Sequence, residues 1–273
     1  MLLALDQRLR FTLPSRLTWF LRATLALHVL AVFTVWWWPV GVLAALVLNH
    51  ALIVAATLWP RSTWLGPNRC RLPAAAASRG ELAITIDDGP DPEVTPRVLE
   101  LLESLGLTAS FFCIADRVAA YPELARDIVA RGHDIQNHTA SHRHTFSFLG
   151  PRAYLAEVER AQQIIERVTG HRPTCFRAPA GFRNPFLAPV LAAAGLELVS
   201  WTRRGFDTRE ADAERVLGRL TRGLRGGDIL LLHDGHAARD GSGQPVICAL
   251  LPALAARCRQ AGLKTVRLSD ALV

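Results

Sequence analysis

Apolar residues fill the N-terminal fifth of the chain almost without interruption. Residues 23–59 include no Asp, Glu, Lys or Arg, and the sequence PVG at 39–41 divides this stretch into two segments. Each segment has close to the ~20 residues that a helix needs to cross the hydrocarbon core of a bilayer. We therefore predict two transmembrane helices, over residues 17–38 and 40–59, within an N-terminal membrane module of residues 1–60.

Tryptophan and arginine residues indicate how this module would lie in a membrane. Trp19, the run at 36–38 and Trp59 stand at the ends of the two segments, where aromatic rings favour the membrane–water interface. Arginines flank both outer ends and none lies in the turn, so the positive-inside rule places both ends of the module in the cytoplasm. A cleaved signal peptide is the alternative, but the apolar stretch is far longer than a signal h-region.

After residue 80 the pattern changes to short strand-like runs that alternate with helical segments. Residues 61–80, rich in Pro, Ala and Ser, are the expected linker to a second domain over residues 81–273. Alternating strands and helices predict a parallel sheet of about seven strands, open or closed into a (β/α) barrel. The predicted strands are 82–86, 109–114, 133–136, 174–177, 196–201, 228–232 and 264–268, and the predicted helices are 92–105, 122–131, 151–169, 185–194, 212–224 and 245–261.

Charge and cysteine content narrow the possible functions. The formal net charge is +7, but residues 1–80 carry eight arginines and one acid, so the second domain is close to neutral. A nucleic-acid-binding domain would need a basic patch on its folded surface, and this balance argues against one. The five cysteines include no C-x-x-C spacing, which indicates buried free thiols.

Polar motifs stand at the ends of five predicted strands: ITIDDG, QNHTASH, FRAPAG, WTRRGFD and LLLHDG. In parallel α/β folds the carboxyl ends of the strands carry the functional site. Asp87 and Asp88 follow the first strand, so we expect them at this edge of the sheet and not in the core. His138 and His142 are spaced i, i+4, which on a helical turn places both imidazoles on one face, able to bind one metal ion.

These four residues together indicate a catalytic divalent metal. Two histidines and one aspartate make a three-ligand site with an open position, and Asp88 is the expected third ligand beside His138 and His142. Asp87 then remains free next to the metal, which keeps it ionised and able to accept a proton from water. A pair of histidines at this spacing is weak evidence alone, and the neighbouring polar strand ends make it specific.

Four of these motifs also carry a family resemblance. TIDDGP, NHTASH, FRAPAG and LLLHDG, in this order over residues 81–270, resemble the signature motifs of the NodB-like polysaccharide deacetylases, carbohydrate esterase family four. The resemblance implies a distorted (β/α) barrel with about seven strands, which agrees with the strand count predicted above. It also implies an enzyme that removes N- or O-acetyl groups from sugars with a divalent metal, for which zinc is the expected ion.

The resemblance further implies a role for each matching residue. Asp87 is then the general base, Asp88, His138 and His142 hold the metal, and His233 is the general acid that protonates the leaving amine. The remaining matches support these groups or bind substrate: Arg177 orients the base, Asp207 pairs with a catalytic residue, Leu231 lines the acetyl-methyl pocket, and Ala180, after the motif proline Pro179, offers a backbone N–H to the oxyanion.

Departures from the family pattern concern substrate recognition and leave the metal ligands and proton carriers intact. Ala180 stands where the family has an aromatic residue, and Thr208 and Arg204 stand where tryptophan and aspartate are common. The extra cationic residues Arg183, Arg203 and Arg204 could contact an anionic group, such as phosphate, on the substrate. The alternative interpretation is that these three arginines are ordinary surface residues in contact with solvent and bind no substrate.

We therefore expect a two-pass, metal-dependent hydrolase of the bacterial inner membrane with a cytoplasmic catalytic domain. Its substrate would be an N-acetyl or formyl amino sugar, in a polysaccharide or in a polyprenyl-linked glycan at the bilayer. An O-acetyl esterase on an extracellular polysaccharide is the alternative enzyme. A non-catalytic glycan-binding membrane protein is the alternative outside enzymes, but such a chain should have lost Asp87, a metal histidine or His233. Thr139 disfavours a metallopeptidase, whose helix motif has Glu after its first His.

Overall fold

The computed structural model describes residues 17–272, so the arginines expected to orient the module at positions 8, 10 and 16 lie outside the described residues. The helices are α1 (Trp19–Thr34), α2 (Pro39–Leu58), α3 (Ala74–Ser78), α4 (Val94–Leu105), α5 (Ala115–Ala120), α6 (Pro122–Ala130), α7 (Pro151–Thr169), α8 (Leu187–Ala194), α9 (Ala213–Thr221), α10 (Val246–Gln260) and α11 (Leu268–Ala271). The strands are β1 (Glu81–Asp87), β2 (Ala109–Cys113), β3 (Asp134–Asn137), β4 (Cys175–Phe176), β5 (Glu197–Leu198), β6 (Arg203–Arg204), β7 (Ile229–His233) and β8 (Lys264–Thr265).

All strands belong to one parallel sheet, which curls into a half-barrel. Their order is β5-β4-β3-β2-β1-β7-β6, and β8 pairs with the start of β1. Asp87 at the end of β1 lies opposite Phe112 of β2 and His233 of β7, so the motif-bearing strand ends share one edge. The prediction of a parallel sheet of about seven strands with intervening helices is confirmed.

The central strands β1, β2 and β7 are wholly buried. All seven residues of β1 are buried, because helices cover this parallel sheet on its faces. On α4, Val94, Val98, Leu99 and Leu102 repeat with helical spacing and pack into the main core. All five cysteines are free, and four of them are buried, which agrees with the prediction of free thiols.

Two strands at the open side of the half-barrel are shorter than predicted. The strands predicted over 174–177 and 196–201 contract to two residues each in β4 and β5. Beyond β5 the backbone pairs instead with Arg69, whose N–H donates to the Leu198 carbonyl and whose carbonyl accepts from the Ser200 N–H. The short elements α5 and β6 were not predicted, since six and two residues are too few to show a periodicity.

The N-terminal helices expose large apolar side chains on most of their surface, including Trp36, Trp37 and Leu48. Within residues 17–272, α2 is the one helix that is long and apolar enough to cross a membrane. α1 is also apolar but has 16 residues, because the chain leaves the helix before the turn that was expected to end it. One span is therefore supported by length and composition, and the second remains a prediction.

The end of α2 is bound to the edge of the sheet that carries the polar motifs through backbone carbonyls, chiefly that of Pro60. The Pro60 carbonyl accepts hydrogen bonds from the side chains of Asn68, Arg183 and Ser200. Arg183 and Ser200 belong to the loops that follow β4 and β5, so the base of the N-terminal hairpin (α1 and α2) lies against the edge that carries the polar motifs.

Candidate active site

Three side chains after β1 and β3 could hold one metal ion: Asp88, His138 and His142. Their ligand atoms all lie within 4.8 Å of one another, and the Asp88 Oδ1 atom lies 3.2 Å from the Nε2 atom of each histidine. Ligands of a tetrahedral zinc ion, each about 2.0–2.1 Å from the metal, lie about 3.3 Å apart. The spacing and the donor set of two imidazole nitrogens and one carboxylate oxygen therefore fit zinc and leave a coordination position open.

The surroundings favour an ionised Asp88 and a neutral His142, the states in which these two groups can bind a metal. The His138 Nδ1 atom lies 2.8 Å from the Arg177 carbonyl, which can only accept, so Nδ1 carries a proton and Nε2 faces Asp88. Burial, reinforced by the nearby His138, lowers the pKa of His142 to about 4 and keeps its imidazole neutral. Burial acts to raise the pKa of Asp88, but hydrogen bonds from His138 and His236 hold it well below its usual range.

The two carboxylates favour a positive charge at this point. Burial acts to lower the pKa of His138, but Asp87 and Asp88 outweigh burial and raise it. The His138 Nε2 atom lies 3.2 Å from Asp88 and 3.9 Å from Asp87. A dication in this position would supply the same compensation, which explains how two adjacent aspartates can be buried here.

The two histidines lie on a loop and not on the helical turn that their spacing suggested. Thr139 and His142 both have positive φ, 68° and 50°, which a helix does not allow. The loop is built by side chains: Asn137 Oδ1 accepts from the Thr139 N–H, and Thr139 Oγ1 accepts from the His142 N–H. The imidazoles still meet, with ring centroids 4.9 Å apart.

Asp87 is held by an arginine that is itself fully buried. Arg177 Nη1 donates to Asp87 Oδ1 at 2.6 Å and to Thr85 Oγ1 at 2.8 Å. Its other nitrogens donate to the carbonyls of Val199 and Ser200, so the guanidinium has one possible position. Burial lowers the pKa of Arg177, and the Asp87 carboxylate opposes that effect. One carboxylate oxygen of Asp87 is thereby fixed, while the other faces the metal ligands.

His233 and Asp207 form a second buried ion pair across the site. The Asp207 Oδ1 atom lies 2.9 Å from His233 Nδ1, and Asp207 Oδ2 accepts from the His233 backbone N–H at 2.7 Å. Burial acts to lower the pKa of His233, but Asp207 outweighs it, and the pKa is raised to about 9. The pair thus favours the protonated imidazole of His233 at the end of β7, the strand next to β1.

The three expected substrate-binding residues also lie at this edge. Leu231 is a buried residue of β7, two positions before His233. Pro179 and Ala180 belong to a tight turn after β4, in which Pro179 is buried and Ala180 is exposed with φ 54°. Ala180 and the following Gly181, with φ 78°, both have positive φ, and this sets the direction of the adjoining peptide groups.

Of the three arginines considered for an anionic substrate, two are already engaged. Arg183 is buried, and its guanidinium donates to the carbonyls of Pro60 and Ser62. Arg203 pairs with Asp228 at 2.5 Å and donates to backbone carbonyls of the α9–β7 turn. Both arginines bind groups of the protein itself, so Arg204 alone remains a candidate for binding an anionic group of the substrate.

Sequence reasoning missed three side chains at the site. His236 has its Nδ1 atom 3.5 Å from Asp88 Oδ2, and Asp234 is fully buried beside the Asp88–Gly89 backbone. Burial raises the pKa of Asp234 to about 7 although Thr95 donates to it at 2.5 Å. The aromatic ring of Phe206, which is exposed, is the third. All three lie within or beside the motifs LLLHDG and WTRRGFD, which was the available signal.

Comparison with known proteins gives a consistent set of relatives. Residues 74–199 match the family model described as polysaccharide deacetylase. A peptidoglycan-N-acetylglucosamine deacetylase of Bacillus cereus is 30% identical over 212 residues, which cover 77% of this chain and 92% of the relative. A chitooligosaccharide deacetylase of Bradyrhizobium sp. is 36% identical over 154 residues, covering 56% of this chain and 70% of the relative.

A solved structure agrees with these relatives. The family 4 carbohydrate esterase from Streptomyces lividans, in complex with acetate, superimposes with a TM-score of 0.62 at 31% sequence identity. The match covers 68% of this chain and 91% of that one. The fold is therefore shared with this esterase, whose structure holds acetate.

Proposed function

Because this chain belongs to the polysaccharide deacetylase family, we propose that it is a metal-dependent hydrolase that removes an N-acetyl or formyl group from an amino sugar of a glycan. The relatives named above act, by their names, on peptidoglycan and chitooligosaccharides, which are polymers of acetylated amino sugars. The observation that carries the proposal is the meeting of three groups at one sheet edge: the Asp88–His138–His142 cluster, the Asp87–Arg177 pair and the His233–Asp207 pair.

We assign zinc as the metal, held by Asp88, His138 and His142. A zinc ion at this position supplies a Lewis acid that polarises the amide carbonyl and lowers the pKa of water. The ligand types and spacing support zinc over magnesium or calcium, which prefer sites built from oxygen ligands alone.

Asp87 is the proposed general base. Arg177 fixes Asp87 Oδ1, so Asp87 Oδ2 is the atom that takes the proton from the attacking water. Arg177 is 1% exposed and also donates to the Val199 and Ser200 carbonyls, so it holds the base in one orientation. Asp87 lies beside the metal ligands without being needed as one, which separates the two roles of the adjacent aspartates.

His233 is the proposed general acid on the opposite side of the site. Its Nδ1 atom is bound to Asp207, so the proton to be donated is the one on Nε2. The leaving nitrogen of an amide must be protonated before it departs, and a histidine with its pKa raised to about 9 is charged at neutral pH. The Ala180 N–H is the proposed oxyanion donor, and Leu231 the wall of the acyl pocket.

We further propose that the substrate is presented at a membrane surface. The exposed apolar helix α2 ends two residues before Pro60, whose carbonyl binds Arg183 of the loop that carries Ala180. A bilayer around α2 would therefore lie close to the mouth of the site. This placement favours an amino sugar linked to a polyprenyl lipid over a distant polymer, and the arginine distribution favours two spans with the catalytic domain in the cytoplasm of a bacterial cell.

The substrate class can be tested by acyl release from three defined substrates. Full-length protein in detergent would be incubated with three substrates: a polyprenyl diphosphate-linked N-acetylglucosamine, its N-formyl analogue, and fully N-acetylated chitotetraose. Free acetate and formate would be measured. Release from the lipid-linked sugars at the higher kcat/KM supports the complete proposal. Release from chitotetraose alone would keep the deacetylase and overturn the lipid-linked substrate, and release from none of the three by the zinc-loaded protein would overturn the proposed activity.

A further inference from the structure

Arg204 differs from Arg183 and Arg203 because its side chain makes no hydrogen bond or ion pair with residues 17–272 and lies only against aromatic rings. Its guanidinium carbon lies 5.4 Å from the ring centroid of Trp201 and 4.9 Å from that of Phe206. Its Nε atom is buried and has no hydrogen-bond partner in the part of the chain that the structure describes. A buried donor without a partner is costly, so such a group in a site calls for an explanation.

The position of Arg204 places it at the mouth of the proposed active site. It is the last residue of β6, where it lies opposite Leu231 of β7. Burial lowers the pKa of Arg204, and the carboxylates of Asp207, Asp87 and Asp88 act in the opposite direction. The charges of the three aspartates therefore attract the guanidinium, although it forms an ion pair with none of them.

The loop after Arg204 presents an aromatic ring beside it. Phe206 has φ 64°, a left-handed conformation that is rare for a bulky residue, and 48% of its surface is exposed. Arg219 holds this loop by donating to the Gly205 carbonyl at 3.1 Å and to Glu210 at 3.1 Å. Strained residues of this kind concentrate at ligand-binding positions. The exposed ring offers a stacking surface beside Arg204.

We propose that Arg204, between Trp201 and Phe206, forms a subsite for a phosphate group attached to the amino sugar. An arginine fork binds phosphate through paired charge-assisted hydrogen bonds, and stacking on aromatic rings holds the fork in place. Phosphate is favoured as the anion because α2 ends next to the site, and the sugar of a lipid-linked glycan is joined to its lipid through phosphate. The subsite rests on the proposed deacetylase function and names the substrate class of that same site.

The subsite can be tested with a matched pair of soluble probes. The probes are N-acetylchitotriose 1-phosphate and its neutral methyl glycoside. Arg204→Met is the test variant, and Arg209→Met is the control because Arg209 is exposed in the same loop. We expect Arg204→Met to raise KM for the phosphorylated probe about 10- to 100-fold and to leave KM for the neutral probe within about twofold. Arg209→Met should change neither value.

Three results would overturn the subsite: equal loss on both probes, equal loss with Arg209→Met, or a wild-type enzyme that does not prefer the phosphorylated probe. Binding is measured separately by calorimetry in the Asp87→Asn background, where turnover of the probe is strongly slowed. If Arg204→Met weakens binding of the phosphorylated probe and not of the neutral probe, the subsite is supported even when no acetate is released. The binding assay therefore distinguishes a failure of the subsite from a failure of the proposed function. A polyprenyl diphosphate-linked sugar added as a competitor shows whether the subsite binds a phosphate carried by a lipid more tightly than the phosphate of the soluble probe.

Discussion

Single side chains set the pH range in which this site can work. His233, the proposed general acid, must be protonated to act. Its pKa is raised to about 9, above its ordinary value near 6.5, because Asp207 outweighs the effect of burial. The imidazolium is thus present at neutral pH and is lost as the pH rises through 9. The same pair stabilises the folded chain fully below pH ~6.5, and this contribution is lost between pH ~6.5 and 9.

Asp207→Asn should move the alkaline limb of the pH–rate profile to lower pH. The amide removes the charge that opposes burial, so the pKa of His233 falls and the general acid deprotonates earlier. The measurement is kcat/KM for acetate release between pH 5 and 10, with Asp116→Asn as control, because Asp116 is an exposed partner of Arg160. An alkaline limb that stays in place for Asp207→Asn would show that His233 is not the proton donor.

The sequence was informative about which residues meet at the site, and less so about how they are held. Chemical type and motif order were enough to place Asp88, His138 and His142 together. The i, i+4 spacing of the histidines suggested a helical turn, but Asn137 and Thr139 capture the backbone amides and form a loop. Side-chain-to-backbone hydrogen bonds of this kind leave no periodic signal in a sequence.

At the level of elements, the loops after β4 and β5 connect the site to the N-terminal hairpin. The Arg183 guanidinium lies in a closed environment between these loops and residues 60–62, where it donates to the Pro60 and Ser62 carbonyls. Burial lowers its pKa to about 10, so the residue stays charged at neutral pH. The loop that carries Ala180 is thereby tied to the end of α2.

Arg183→Met should weaken both the docking of α2 and catalysis. Losing a buried donor leaves carbonyl groups short of a partner, which we expect to lower the free energy of unfolding by about 1–3 kcal/mol. Arg97→Met, a change on the exposed face of α4, is the control. The comparison is made by urea unfolding in detergent, followed by tryptophan fluorescence. Equal midpoints for the two variants would contradict a structural role for Arg183.

The longer elements could be predicted from the sequence because they bury a continuous apolar face. The helix predicted over 151–169 has those same bounds in the structure, as α7. At the open side of the half-barrel the strands at β4 and β5 were predicted too long and β6 was missed, since each has two residues and this side depends on pairing with distant segments such as Arg69. Tertiary pairing of this kind overrides local propensity.

The whole molecule combines a catalytic half-barrel with an apolar hairpin that has no cover within the described chain. Side chains such as Leu43, Val47 and Leu48 of α2 are more than half exposed. A contiguous apolar surface of this size on a soluble protein would promote aggregation, whereas a bilayer would bury it. The proposed location at a membrane accounts for this surface.

Leu48→Asp should reduce the amount of protein that is integrated in membranes. A carboxylate near the centre of a spanning helix costs about 2.5–3.5 kcal/mol, and Leu48 lies in the middle of α2 with 62% of its surface exposed. Leu48→Ala is the matched control and should remain integrated. The measurement is the fraction of each protein that stays in the membrane pellet after alkaline carbonate extraction. Release of the unmodified chain by carbonate would contradict the membrane span.

The central claim is that Asp87 acts as the base beside a zinc ion held by Asp88, His138 and His142, and one paired measurement tests it most directly. Zinc content and the rate of acetate release from an N-acetylated amino sugar would be measured for the unmodified chain, Asp87→Asn and Asp88→Ala. The account predicts that Asp87→Asn keeps about one zinc per chain while kcat falls about 10²- to 10⁴-fold, and that Asp88→Ala loses both zinc and activity. Full activity in Asp87→Asn, or full zinc occupancy in Asp88→Ala, would contradict it.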